Sequence, residues 1–418
     1  MIAQKNSKMS DLHPTLAYIT QTYPALTNTF IYREVLALER RGFDIAAFAI
    51  WKPDKQKLSP ESRLLVDTTT YVFPLRWGGL LKAHLRYLLN RPRKYLGTAL
   101  FAFTRPGESL SNRKRTLGHF IEAIYLAPEM EQRGVRHIHA HFTINAASIA
   151  LILARLLDIS FSFTAHNIFF TDRLLITDKL REARFIVAIS EFSRQYLMRL
   201  LPGEKIGDKI HIVHCGLQPQ TFTPPTERPA NDLPVILFVA QFAERKGAPY
   251  LVEACRILRD RGVRFRCVII GGGPQLATVQ TLVARHDLTN CVELTGPLFQ
   301  EQLKPYLARA DVFVLPCITA ANGDMDGVPV SLMEAMATEI AVVSTTVSGI
   351  PELIQDDENG FLVPEKDSVA LANVLRRLIE DPALRIRLGQ NGRQKIVQEF
   401  DVHKNAEQLT ILFERYVQ

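Results

Sequence analysis

The sequence predicts an α/β protein of two doubly wound, Rossmann-like domains facing each other across a cleft. Three observations point there. Short β-branched runs alternate with helical periods along nearly the whole chain, a proline-rich break interrupts that alternation, and 418 residues suffice for two cores.

In the first half, strands are expected at Leu16–Thr20, Asp44–Ile50, Thr69–Phe73, Arg136–Ala140, Ser160–Ala165, Phe185–Ile189 and His211–Val213. Helical periods lie between them, as at Phe30–Arg41, with Val35, Leu36 and Leu38 apolar, and at Ala146–Leu157. Gln218–Pro234 holds five prolines in seventeen residues and no periodicity, which reads as a linker. The pattern then restarts, with strands expected at Val235–Val239, Phe265–Ile270, Val292–Leu294, Val312–Leu315, Ala341–Ser344 and Gly360–Val363. Helices are expected at Gly247–Asp260, Gln275–His286, Gln300–Ala310, Pro329–Thr338 and Ser368–Glu380. Such alternation implies parallel sheets with helices on both faces. The expected domains are residues 1–217 and 235–399, joined by the linker 218–234. No strand follows the last helices, so 400–418 is expected to pack back on the first domain.

Composition narrows the class. With 47% hydrophobic and 22% charged residues the chain is an ordinary globular protein. Its longest apolar stretches, such as Ala146–Ala154, fall short of the ~18–20 residues of a membrane-spanning helix. The opening MIAQKNSKMSDLHP lacks the apolar core of a signal peptide, so a cytoplasmic location is expected. Five widely spaced cysteines without a CxxC pair read as free thiols.

The net charge of +7 is unevenly placed: Tyr71–Tyr125 carries ten Lys/Arg against two Glu. Trp77, Leu80, Leu81, Leu88, Leu89, Tyr95, Phe101 and Phe103 are interleaved with them. That pattern suits an anionic bilayer or a phosphate-bearing lipid, and equally a solvated face of ordinary helices. No nucleic-acid-binding motif accompanies the charge, so nucleic acid is not an expected partner.

In a doubly wound sheet, ligands sit beyond the carboxyl ends of the strands, so residues just after strands are the candidates. In Leu315–Ala337 a polar loop carries Asn322, Gly323, Asp326 and Gly327 into a helix opened by Pro329, where proline costs least. The unpaired N–H groups at that helix start form an anion site, and Asp326 and Glu334 would present carboxylates to hydroxyl-rich groups. From spacing alone, Asp326 reads equally as a helix cap and Glu334 as a surface residue. In Leu237–Gly247, Arg245 and Lys246 follow a strand and are placed for a phosphate, or for solvent. Ile269–Pro274 (IIGGGP) runs a strand into a glycine turn, without the GxGxxG of a dehydrogenase. His166, just past Ser160–Ala165, could donate to a phosphate or sugar hydroxyl, or bond the backbone. His137, His139 and His141 alternate on one face of a strand. No carboxylate or cysteine joins them in sequence, so no metal is expected.

Together these segments resemble the retaining family-4 glycosyltransferases of GT-B fold. Their signature is two acidic residues separated by seven, in E-G-x-P/G-x-x-x-x-E-A-M-A. Here it reads Asp326-Gly327-Val328-Pro329-Val330-Ser331-Leu332-Met333-Glu334-Ala335-Met336-Ala337. The resemblance implies that Asp326 contacts the donor sugar and Glu334 the ribose, although Asp326 is one methylene shorter than the usual Glu. Lys246 and Gly247 match G-R-x-x-x-x-K-G, but Gln241 replaces its Arg and Ala240 its Gly, with Arg245 a partial substitute. Gly271–Pro274 resembles G-x-G-P near the nucleotide, with Gly272 on the donor. Thr295-Gly296-Pro297-Leu298 resembles T-G-x-L, with Pro297 and Leu298 at the base. The family's T-x-H-D/N places its histidine beside the reacting sugar, which maps to His166 and Asn167. Thr20–Glu34 (TQTYPALTNTFIYRE) is similar to the P-x-L-S-E-T-F-I-x-x-E segment of colanic-acid and exopolysaccharide enzymes, with Asn28 in place of Glu.

What the resemblance implies is transfer of a sugar from a nucleotide-diphosphate donor, favouring a uridine nucleotide, with retention and without a metal or cofactor. The acceptor would be a saccharide, expected to be a lipid-linked oligosaccharide of exopolysaccharide synthesis, at the inner face of the membrane. Catalytic roles fall to His166, Asp326 and Lys246. Donor binding falls to Gln241, Arg245, Gly272, Pro297, Leu298, Gly327, Val328, Pro329, Val330 and Glu334. Thr27, Asn28, Thr29 and His141 are expected on the acceptor side. Gln241 and Asp326 also keep open a catalytically weak nucleotide-binding subunit of a polysaccharide assembly complex. A GT-B epimerase or phosphorylase has no feature in its favour.

Overall fold

The computed structural model describes residues 14–25, 28–58, 60–104, 108–166 and 170–417. By its internal contacts the chain forms two compact units. The first comprises residues 1–189, 193–213 and 402–418; the second comprises 190–192 and 214–401.

The first unit holds a seven-stranded parallel sheet. Its strands are β1 (Leu16–Thr22), β2 (Ile45–Trp51), β3 (Thr70–Phe73), β4 (His137–His141), β5 (Ser160–Ala165), β6 (Ile186–Ala188) and β7 (Ile210–Ile212). The order is β3-β2-β1-β4-β5-β6-β7, so the winding reverses between β1 and β4. Its helices include α1 (Thr29–Glu39), α2 (Trp77–Asn90), α3 (Pro92–Phe103), α4 (Leu110–Gln132), α5 (Asn145–Leu157) and α6 (Ile176–Glu182). Eleven of the thirteen residues of α5 are buried, which is why it reads as apolar all round.

The three histidines of β4 have a structural explanation in their neighbour strand. In register, His137 lies opposite Ser160, His139 opposite Ser162 and His141 opposite Thr164. His137 bonds the hydroxyls of Ser160 and Ser162 at 2.7 Å each, and His139 bonds those of Ser162 and Thr164 at 2.8 and 2.9 Å. Burial lowers the pKa of His137 to about 3 and holds His139 well below its ordinary value, so both are neutral and fully hydrogen-bonded.

The second unit holds β8 (Val235–Val239), β9 (Arg266–Ile270), β10 (Val292–Gly296), β11 (Val312–Val314), β12 (Ala341–Thr345) and β13 (Phe361–Val363). They form a parallel sheet in the order β10-β9-β8-β11-β12-β13, with the reversal between β8 and β11. Around it lie α7 (Ala248–Asp260), α8 (Val330–Ala337), α9 (Ser368–Glu380) and α10 (Pro382–Glu399). The proline-rich stretch contributes Phe222 to this unit's core. The final helix, α11 (Val402–Tyr416), packs on α1 and buries Leu409, Leu412 and Phe413 with Tyr18 and Phe43.

Several helix starts differ from expectation by one residue, and two of them bear on the site. Gly247 is not helical but caps α7 in the left-handed region at φ +69. Pro329 is extended and precedes α8, whose first helical residue is Val330. No helix among the described residues is long and apolar enough to cross a membrane.

Candidate functional site

In the second unit, the loops that leave β8 and β11 meet where the winding reverses. After β8 the chain makes a 3₁₀ turn at Glu244–Lys246. The Ile318 N–H bonds the Arg245 carbonyl at 2.9 Å, and the Ala321 N–H bonds the Glu244 carboxylate at 3.0 Å, so the two loops clip each other. The junction is tight. A Cβ on Gly247 would lie 1.8 Å from the Pro316 carbonyl oxygen, so only glycine fits there.

This clip brings Asp326 onto both cations. Lys246 Nζ lies 2.5 Å from Asp326 Oδ2, and Arg245 Nε lies 3.1 Å from Oδ1. Arg245 also holds Asp324 at 2.8 Å, and the Cys317 thiol approaches Asp326 at 3.5 Å. Asp326 is buried. Burial alone would raise its pKa, but Lys246 and Arg245 outweigh burial and hold the carboxyl below the ordinary range. Two cations thus face two carboxylates. Gly327, Val328 and Pro329 are buried behind Asp326, and Val330 opens α8. Glu334 lies one turn further on the same helix face as Val330, half-buried.

The glycine turn after β9 lies beside the β8 loop. The Phe242 N–H bonds the Gly272 carbonyl at 2.9 Å, and a Cβ on Gly271 (φ +146) would lie 1.9 Å from the Ala240 carbonyl oxygen. A Cβ on Gly272 would touch Pro297, which is exposed, and Leu298 follows half-buried. Gln241 is exposed beside Gly273. Gln241, Arg245, Lys246, Gly272, Pro297 and Asp326 therefore all sit at the carboxyl edge of this sheet.

In the first unit the sites lie beyond β1, β4 and β5. His141 Nδ1 and His166 Nε2 are 3.1 Å apart, and the two rings stack at 5.4 Å. Phe30 and Phe142 pack on His166 with ring centres at 4.9 and 4.6 Å. His141, expected on the acceptor side, is wholly buried and meets His166 and Glu34 rather than solvent. Burial holds His166 well below its ordinary pKa, with His141 adding to the effect. A neutral imidazole offers one N–H donor and one acceptor nitrogen, not a charge. Asn28 and Thr29 sit half-buried at the start of α1. Thr27 and Asn167 lie outside the described residues.

Sequence reasoning did not single out three groups here. Glu34 accepts from the Tyr18 hydroxyl at 2.9 Å, and its Oε1 is 3.2 Å from His141 Nε2. Glu34, His139 and His141 have ligand atoms within 4.8 Å of one another, but both nitrogens of His139 are already bonded to hydroxyls. Lys179 is fully buried; its ammonium donates to the carbonyls of Thr143 and of Leu174 (2.6 Å), which fastens the loop after β4. Desolvation lowers its pKa to about 7. Asp324, beside the signature, completes the charge balance of Arg245. Asp324 and Glu34 each lie within a quoted motif, but the contacts of Glu34 with Tyr18 and His141, and those of Lys179 with the Thr143 and Leu174 carbonyls, depend on the fold.

The geometry has relatives. Residues 27–221 match the family described as Glycosyltransferase Family 4, and residues 220–395 match Glycosyl transferases group 1. A putative colanic acid biosynthesis glycosyltransferase, WcaL of Salmonella typhimurium, is 30% identical over 96% of this chain and 99% of its own length. The chain belongs to the family-4, group-1 glycosyltransferases. The amylovoran biosynthesis glycosyltransferase AmsK of Erwinia amylovora is 41% identical to this glycosyltransferase over 53% of the chain. That match, like the one to WcaL of Escherichia coli (42% identical), spans about half the relative's length, at 55% and 48%. Solved structures agree on the GT-B fold. HepE of Anabaena with UDP-glucose (TM-score 0.72, 16% identity) covers 96% of this chain and 100% of that one. Sucrose-phosphate synthase of Thermosynechococcus elongatus (0.72, 20%) covers 96% and 99%.

Proposed function

We propose that this glycosyltransferase moves a sugar from a nucleotide-diphosphate donor, with a uridine nucleotide favoured, to a lipid-linked oligosaccharide of exopolysaccharide synthesis, with retention and without a metal. The names of AmsK and the WcaL proteins support the pathway. The UDP-sugar complexes of HepE support the donor class. The observation that carries the site is the Lys246–Asp326 contact beside the glycine turn of β9.

The chemistry follows from charge. As the glycosidic bond breaks, the leaving diphosphate gains negative charge. Lys246, Arg245 and the first-turn N–H groups of α8 stabilise it. Asp326 then orients the sugar and Glu334 the ribose, Gly272 lets the diphosphate approach the backbone, and Pro297 and Leu298 flank the base. His166 hydrogen-bonds the sugar as a neutral imidazole, and Asn28 and Thr29 hold the acceptor. Catalysis takes place in the cytoplasm, at the inner face of the membrane where a lipid-linked acceptor is presented.

A panel of nucleotide sugars with a lipid-diphosphate acceptor tests this. One donor should turn over, its product should keep the anomeric configuration by NMR, and Glu334→Ala should lower turnover at least about tenfold. Turnover unchanged in Glu334→Ala would move the site elsewhere. The pairing of both cations with carboxylates, and the neutral Gln241, favour the second reading of a weakly active nucleotide-binding subunit. Tight nucleotide binding with no turnover on any acceptor would establish that reading instead.

Gln241 allows a gain-of-function test. It is exposed, so Gln241→Arg should fold normally. A charge-assisted bond to the diphosphate contributes ~1.5–3 kcal/mol. Titration calorimetry should show nucleotide diphosphate binding about tenfold tighter or more in this variant. No change would mean that the diphosphate does not reach the β8 loop.

A further inference from the structure

The helices α2 and α3 are apolar on two sides. Toward the body of the unit they bury Leu80, Ala83 and Tyr87, and Thr98 and Ala102. Their outward faces carry large apolar groups as well. Trp77, Leu81 and Leu85 follow i, i+4, i+8 on α2, at 77, 72 and 54% exposure. Leu96, Leu100 and Phe103 follow i, i+4, i+7 on α3, all more than half exposed. Scattered single hydrophobics on a surface need no explanation, but two aligned stripes on successive helices do.

The charges around these stripes identify what covers them. From Pro74 to Gly107 there is no Asp or Glu, while Lys and Arg occur seven times. Arg86 and Arg91 are held by Glu131, and Lys94 by Asp158. Among the described residues, Arg76, Lys82 and Arg93 have no ion pair, and all three are exposed. Lys82 lies next to the Trp77–Leu81–Leu85 stripe, and Arg93 stands one turn before Leu96 on its own stripe. Apolar side chains flanked by unpaired cations match an interface of acyl chains beneath anionic headgroups. A second copy of this chain is a poor occupant, because a two-fold contact would bring this cationic face against itself.

We propose that α2 and α3 dock the protein on an anionic phospholipid bilayer, with Trp77, Leu81, Leu85, Leu96, Leu100 and Phe103 entering the acyl boundary and Lys82 and Arg93 on the headgroups. This deepens the lipid-linked acceptor reading by naming the face that meets the membrane, and it can be tested without donor or acceptor.

The full chain is sedimented with vesicles of phosphatidylcholine alone or mixed with phosphatidylglycerol. It should bind the mixed vesicles, and high salt should weaken that binding. Lys82→Glu with Arg93→Glu should weaken it by more than about tenfold. Leu81→Gln with Leu100→Gln should weaken it comparably while circular dichroism, melting temperature and turnover on a water-soluble acceptor stay unchanged. The chain has two tryptophans, so Trp51→Phe isolates Trp77. Its emission should shift to the blue on mixed vesicles and be quenched by brominated lipid. The proposal is overturned by failure to bind mixed vesicles at low salt, by Trp77 emission that does not respond, or by wild-type binding in both double variants. It is also overturned if sedimentation velocity shows a dimer that the Leu81/Leu100 variant abolishes. Turnover on a soluble acceptor without vesicle binding would leave the catalytic reading standing and remove this one alone.

Discussion

Asp326→Ala is expected to abolish measurable turnover and to destabilise the second unit by ~3–5 kcal/mol, the usual result of breaking a buried ion pair by removing one partner. Lys246 and Arg245 would then face each other with only Asp324 in compensation. The same exposure of cations makes a further result specific. Nucleotide diphosphate should bind at least as tightly as to the wild type, because the two cations no longer have Asp326 as a competitor. Loss of turnover with binding kept separates a positioning carboxylate from a collapsed site. Turnover near the wild-type level would remove Asp326 from the mechanism.

The pH dependence has a definite sign. The native pKa of Asp326 is depressed, so its contribution is fully present above the unfolded value of ~3.9 and is lost as pH falls through the lower native one. Denaturant midpoints followed downward from pH 5 should fall more steeply in the wild type than in Asp326→Asn. Parallel curves would mean that the carboxylate is not held by these cations.

The second large effect is expected at Gly247. An alanine Cβ there would lie 1.8 Å from the Pro316 carbonyl oxygen, on backbone with φ +69. Left-handed strain costs ~1–2 kcal/mol and forced displacement of packed groups ~1–3 kcal/mol, so Gly247→Ala should lose ~2–5 kcal/mol. Gly262 is the control: its φ is +74, but a Cβ there meets nothing within 4 Å. Gly262→Ala should therefore show only the strain. Because Gly247 seats the β8 turn against the loop after β11, its alanine variant should also lose turnover as Lys246 shifts from Asp326. Equal melting temperatures for the two variants would show that the close approach to Pro316 is not rigid.

Much of this was readable in advance, for identifiable reasons. Buried parallel strands are continuous β-branched runs, so VILFV at 235–239 and AVVST at 341–345 announced themselves. Glycines and the proline before α8 marked the carboxyl edge of the second sheet, because a close backbone approach leaves a local signature. The basic, acid-free stretch was plain as composition, but it was not resolved into α2 and α3. On α3 the long apolar residues face outward and Thr98 and Ala102 inward, while α2 is apolar on both sides, which departs from the usual reading of an amphipathic helix.

By itself the sequence determined the two-sheet architecture, the order of the motifs, and the presence of an acidic pair and a lysine at strand ends. Periodicity and turn chemistry are local, and the chain carries them without folding. Only the tertiary structure decided which groups Asp326 meets. Sequence left it open between a helix cap and a ligand contact. Eighty residues separate it from Lys246 in the chain, and the reversal of winding between β8 and β11 brings the two within 2.5 Å. The same holds for Glu34, His141 and His166. Their contacts depend on which strands lie side by side, which hydrophobic burial across the whole sheet selects and no local pattern encodes.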